Sequence, residues 1–196
     1  MMSTKKNYTR ETILKAAWKI LDESPRASSR MSDIAKEAGI SRQAVYLHFP
    51  TRAELLIATA RYVDEVYEID ERLRKSRNAT TGKERLSAYI EAWGNYLPCV
   101  DCMASAFLAM PDDDDAMAAW NDRMAEVRDG CLAAIEALAA DDDLTASYTV
   151  EQATDILWML LSIQNWQLLT VKCGWSQADY VSHILEIAQN VLVKNC

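Results

Sequence analysis

Glycine and proline are scarce, with five and four among 196 residues. A sheet fold with many tight turns needs more of both, so long helices are favoured. Long apolar runs are missing too. No stretch of about 18 residues is continuously apolar, which argues against a membrane span. The start, Met1 to Lys15, is polar, carries Lys5, Lys6 and Arg10, and lacks the apolar centre of a secretory signal. A cytoplasmic protein with no membrane partner is expected. Histidine is limited to His48 and His183. That is too few for the common metal or triad sites, and neither a glycine-rich phosphate loop nor a G-x-S-x-G occurs. No cofactor and no metal are expected, and an enzyme would have to rely on scattered carboxylates.

Half of the residues, 50%, are hydrophobic, enough for a substantial core. The net charge of −8 argues at first against nucleic acid, but its distribution argues the other way. Residues 1–61 hold 11 Lys+Arg against 6 Asp+Glu, net +5; the remainder holds 10 against 23, net −13. A basic N-terminal third on an acidic body suits a DNA-binding head. The five cysteines, Cys99, Cys102, Cys131, Cys173 and Cys196, form no disulfide framework. Cys99 and Cys102 are spaced C-x-x-C without the partners a zinc or redox site needs, so buried, reduced helical thiols are expected.

Apolar periodicity predicts helices over about Arg10–Leu21 (capped by Thr9), Met31–Ala38, Arg42–His48 and Arg52–Arg77. Thr81 with Glu84 forms a capping-box pattern opening a helix to Leu97, ended by Pro98. Helices over Val100–Met110 and Asp115–Ala140 follow, the run Asp112–Asp115 reading as helix capping rather than a cation loop. Thr149 with Gln152 opens a helix to Cys173, stopped by Gly174, and Ser176 opens the last, ending near Lys194. The expectation is all-α: an N-terminal three-helix helix-turn-helix domain, 1–55, plus a larger C-terminal helical domain for ligand binding and dimerisation, 56–196.

Met31–Arg52 is the most informative stretch. Ile34, Ala35 and Ala38 form the inner face of one short helix, Gly39 permits the sharp turn, and Ile40 plugs the corner. Ser41 can cap the next helix, whose inner face is Val45 with Phe49. Its outward residues, Arg42, Gln43, Tyr46 and His48, suit a major groove: Arg pairs with guanine, Gln with adenine, and Tyr and His reach phosphates or thymine methyls. The helix start at Ser41 and Arg42 is expected to face a phosphate.

Thr9–Leu56 resembles the DNA-binding domain of the tetracycline-repressor (TetR) family of regulators. The run Ser41-Arg42-Gln43-Ala44-Val45-Tyr46-Leu47-His48-Phe49 is similar to that family's recognition helix, with Ile34-Ala35, Gly39-Ile40 and Arg52-Ala53-Glu54-Leu55-Leu56 in equivalent places. The resemblance implies an all-helical homodimer with a variable ligand-binding domain. It also implies DNA-contacting positions at Ser32, Arg42, Gln43, Tyr46, His48 and Arg52. Two places depart from the family: Ser24-Pro25-Arg26 replaces a glycine-containing turn, and Arg30 stands where a capping Thr is frequent, so Ser29 is expected to cap one residue earlier.

The acidic body holds five of the six tryptophans, together with methionines that suit either a pocket or a plain core. An effector, mainly apolar or aromatic, is expected among Trp93, Tyr96, Met103, Phe107, Trp120, Met124, Trp158, Asn165 and Trp166. Ser162, Gln164 and Asn165 interrupt a nearly all-apolar helix and need partners: a ligand, a second subunit or neighbouring backbone. Val181, Ile184, Leu185, Ala188, Val191 and Leu192 share one stripe of the last helix. With the helix before it, this stripe is expected to build a four-helix bundle with a second copy. The functional expectation is a dimeric regulator, a repressor, that binds an inverted-repeat double-stranded DNA operator and is released by an effector acting through the helix from Arg52. The alternatives are a constitutive architectural DNA-binding protein and a carboxylate-based enzyme.

Overall fold

The computed structural model describes residues 2–23 and 30–194, with side-chain surroundings from Tyr8 onward. Helices dominate, as expected. Among the described residues there is no strand, only an isolated bridge between Leu144 and Val193. No helix among them is long and apolar enough to cross a membrane. The chain forms two compact units, Met1–Tyr67 with Val100–Met124, and Glu68–Cys99 with Ala125–Cys196. The first reaches past the boundary expected at residue 55, because the helix that follows packs on the first helix and stays with it.

In the first unit lie α1 (Met2–Glu23), α2 (Met31–Glu37), α3 (Arg42–His48) and α4 (Arg52–Val66). Helix α1 starts well before Arg10, so Thr9 is interior rather than a cap. No glycine or proline between Met2 and Thr9 obliges the helix to stop there. Ser24-Pro25-Arg26 and the cap expected from Ser29 lie outside the described residues. Arg30 itself is extended and offers α2 no side-chain cap. Helix α2 closes with Gly39 at φ +67, and the Ile40 N–H donates back to the Ala35 carbonyl at 3.0 Å, as in a Schellman turn. Ile13, Leu14, Ala17, Ile34, Ala35, Val45, Phe49 and Leu55 form one buried cluster.

The long helix expected over Arg52–Arg77 is not continuous. It breaks after Val66 at Glu68, which adopts a left-handed conformation at φ 55, and resumes as α5 (Ile69–Arg72) and α6 (Arg74–Arg77). Apolar periodicity runs through the break, so it gave no sign in the pattern. Helices α8 (Leu97–Leu108) and α9 (Asp114–Ala140) contribute their residues 100–108 and 114–124 to the first unit. Pro98 does not end a helix. It sits in the first turn of α8, where a missing N–H costs nothing. Asp113 caps α9, its carboxylate accepting the Ala116 N–H at 3.0 Å, which supports the capping reading of the aspartate run. The same oxygen accepts from Arg52 at 2.6 Å, and farther along Arg61 pairs with Asp122 at 3.1 Å. Both pairs are 61 residues apart in sequence, so α4 and α9 run the same way at equal rise. Asp64 with Arg123, at 3.2 Å and largely buried, adds a third pair.

The second unit holds α7 (Gly82–Gly94), α10 (Val150–Leu160), α11 (Ile163–Trp166), a π-helical turn Gln167–Lys172, and α12 (Gln177–Leu192). Thr81 caps α7 through the Glu84 N–H, but the Glu84 carboxylate turns to Thr80 instead of closing a box. At Thr149 and Gln152 the full box forms. The helix expected over Val150–Cys173 breaks at Leu161–Ser162. Ser162 caps α11 by accepting from the Asn165 N–H at 3.3 Å, and the Asn165 amide donates back to the Met159 carbonyl. Ser162 and Asn165 therefore find their partners in backbone, while Gln164 is exposed. The carbonyls freed at the break are taken by the Tyr180 hydroxyl (to Leu160, 3.1 Å) and the Trp93 indole (to Leu161, 3.2 Å).

The cysteines are not uniformly buried. Cys131 is, and burial pushes its thiol up to about 12. Cys99 is half-buried, while Cys102 and Cys173 are exposed. Cys196 lies outside the described residues. Partial burial and the carboxylate of Asp22, with which it hydrogen-bonds, raise the Cys102 thiol above its usual value.

Candidate nucleic-acid interface

Two short helices set the surface. Helix α3 is seven residues long and is held by Val45 (0% exposed) and by Phe49 beyond its end. With that side inward, Arg42, Gln43, Tyr46 and Leu47 stand exposed on the other. Ser41 is exposed as well, but its hydroxyl accepts the Ala44 N–H at 3.1 Å and so serves the helix itself. Ser32 is exposed in the first turn of α2.

Arg42 and Tyr46, one turn apart, interact with each other. The guanidinium donates to the phenol oxygen at 3.2 Å and lies 5.4 Å from the ring centroid. Arg10 of α1 covers Phe49 in the same way, at 5.0 Å. His48 is half-buried and turns into a surface hollow of roughly 350 Å³ with Arg10, Leu14, Phe49, Ile57 and Tyr62.

Arg52 is placed differently from the rest. Its side chain is only 15% exposed and is engaged by Asp113. Backbone N–H and Arg52 together hold the Asp113 carboxyl below its usual range, although burial works the other way. Of the seven residues expected at the interface, the structure leaves Ser32 exposed on α2 and Arg42, Gln43 and Tyr46 exposed on α3. It commits the Ser41 hydroxyl to a cap, half-buries His48, and ties Arg52 into an ion pair. Leu47 was missed from the sequence. Its signal was position: two residues past the buried Val45 and four past Gln43, it has to face outward.

The nine residues expected to take an effector are divided between the two units. Met103, Phe107, Trp120 and Met124 belong to the first unit, and Trp93, Tyr96, Trp158, Asn165 and Trp166 to the second. Trp93 serves the helix break. The Trp166 indole donates to Gln177 at 2.8 Å, and Gln177 in turn donates to the Gly94 carbonyl at 2.9 Å. None of the nine lines the hollow described above or a smaller one beside Lys83, Leu86 and Gln189. Among the described residues no cluster of three or more His, Cys, Asp or Glu could hold a metal ion.

The stripe expected at a dimer interface is also divided. Ile184, Ala188 and Leu192 are buried within the chain's own second unit, and Val181, Leu185 and Val191 are half-buried. The large hydrophobic side chains exposed among the described residues of that unit are Met159, Leu168, Val171 and Ile187. A period of 3.6 finds a stripe but not which neighbour it faces.

Comparison with known proteins adds four findings. Residues 13–59 match the family described as bacterial regulatory proteins, tetR family. A nucleoid occlusion factor, SlmA, of Marinomonas sp. (strain MWYL1) is 38% identical over 64 residues, 33% of this chain and 32% of that protein. The transcriptional repressor LfrR of Mycolicibacterium smegmatis (strain ATCC 700084 / mc(2)155) is 41% identical over 58 residues, 30% of each. The match thus spans about a third of the length of these curated relatives. Over the whole chain the likeness is one of fold. The crystal structure of a transcriptional regulator from Saccharomonospora viridis in complex with choline superposes with a TM-score of 0.72 at 20% identity, covering 96% of this chain and 100% of that one.

Proposed function

From the premise that the chain belongs to the tetR family of bacterial regulatory proteins, we propose that it binds operator DNA through α3 and represses transcription from the bound site. The observation that carries this reading is the outward face of α3, where Arg42, Gln43 and Tyr46 stand exposed on a helix anchored by Val45. Arginine and glutamine are the side chains that take guanine and adenine by two hydrogen bonds at once. Arg52, engaged by Asp113, also supports the position of α4.

The working form is proposed to be a homodimer on an inverted repeat, joined through the exposed Met159, Leu168, Val171 and Ile187 of the second unit. Release by a small molecule is proposed by analogy with the choline-bound neighbour. An apolar or aromatic effector, with a cation tolerated by the acidic body, fits the composition of this chain. A second reading, a DNA-binding protein without an effector, draws on the likeness to a nucleoid occlusion factor.

Selection from random duplexes, followed by titration of the enriched sequence, tests the proposal. Gln43→Ala is expected to relax preference at one or two positions per half-site, at a cost of about 1–3 kcal/mol. Binding and preference equal to wild type in both Gln43→Ala and Arg42→Ala would remove α3 as the reading element. Compounds that raise the melting temperature yet leave operator affinity unchanged across a broad library would favour the second reading.

A further inference from the structure

Leu47 is 78% exposed, on the side of α3 turned away from the buried Val45 and Phe49. Those two serve the core, so nothing in the first unit covers Leu47. The outer face of α3 carries two rows at i, i+4 spacing. Arg42 and Tyr46 form the first and are bonded to each other. Gln43 and Leu47 form the second.

Neighbours at this spacing stand about 5–6 Å apart at their Cβ atoms. Successive base pairs are about 3.4 Å apart along the duplex. Gln43 and Leu47 therefore address the same base pair or one or two steps apart. Glutamine suits an adenine edge, and the group in the major groove that an aliphatic side chain recognises is the C5-methyl of thymine. We propose that Leu47 is a base-reading residue that packs on a thymine methyl beside the adenine taken by Gln43, so that each half-site joins a guanine for Arg42 to a methyl-bearing A·T pair. The inference rests on the reading of α3 as the element that enters the groove.

The test uses the full-length protein and duplexes enriched from a random library. Each thymine is replaced in turn by deoxyuridine, which removes only the methyl group. For the wild type, one thymine per half-site is expected to be sensitive, at a loss on the order of fourfold, the worth of burying one methyl. Leu47→Ala is expected to keep the wild-type melting temperature, because the side chain is exposed, and to bind thymine and deoxyuridine duplexes alike. A wild type indifferent to every deoxyuridine overturns the inference. So does a Leu47→Ala variant that keeps the full deoxyuridine penalty, or one that weakens all duplexes equally, which would make Leu47 a backbone contact. These failures leave enrichment intact and Arg42→Ala defective. If no duplex is enriched, or if Arg42→Ala binds as wild type, the groove reading itself falls and the Leu47 proposal falls with it.

Discussion

Asp113 does two things with one carboxylate oxygen: it caps α9 and it receives Arg52. Its folded-state pKa lies below the ordinary value, so the charged form is the one that the fold stabilises. That contribution is complete above the unfolded value, about pH 4, and disappears as pH falls through the lower folded value. Asparagine can still cap but cannot carry the charge. Melting curves from neutral to acid pH should show the wild type more stable than Asp113→Asn at pH 7, with the gap closing below about pH 4. A gap that persisted there would mean the ion pair is not its source.

At the scale of elements, much was legible from the sequence because the signals were local. The turn at Gly39, the extent of α3, the full capping box at Thr149 and the capping role of the aspartate run depend on neighbours within a few residues. The breaks at Glu68 and Leu161–Ser162 were hidden, because apolar periodicity continues across both. Ser162 and Asn165 did carry a trace of the second break, as polar residues in an apolar run. The local signals also located Arg42, Gln43 and Tyr46 on the outer side of α3. The partner of Arg52 was out of reach, being 61 residues away.

Helix α12 shows the same limit and offers a test. Ile184 is 2% exposed and Ile187 is 40% exposed. A carboxylate at position 184 has to enter the core unpaired and is expected to unfold the protein. At position 187 it meets solvent, so Ile187→Glu should leave the monomer folded. If that surface joins two copies, light scattering at micromolar concentration should report a dimer for the wild type and a monomer for Ile187→Glu. A dimer for both would place the interface elsewhere.

For the whole molecule, the first unit is not one piece of sequence. It combines Met1–Tyr67 with Val100–Met124, and the α4 side chains Arg52, Arg61 and Asp64 find Asp113, Asp122 and Arg123 in that second segment. The head is therefore not modular in the sense a protein engineer would want. A fragment of residues 1–67 would keep α1 to α4 and lose the partner of every one of those three ion pairs. It should melt at a lower temperature, and less cooperatively, than the head does within the intact chain; equal melting temperatures would contradict this. The same consequence reaches chimaeras. Grafting 1–67 onto the body of another regulator transfers the reading helix but leaves α4 facing a foreign surface, whereas transplanting 100–124 along with it restores all three charged contacts.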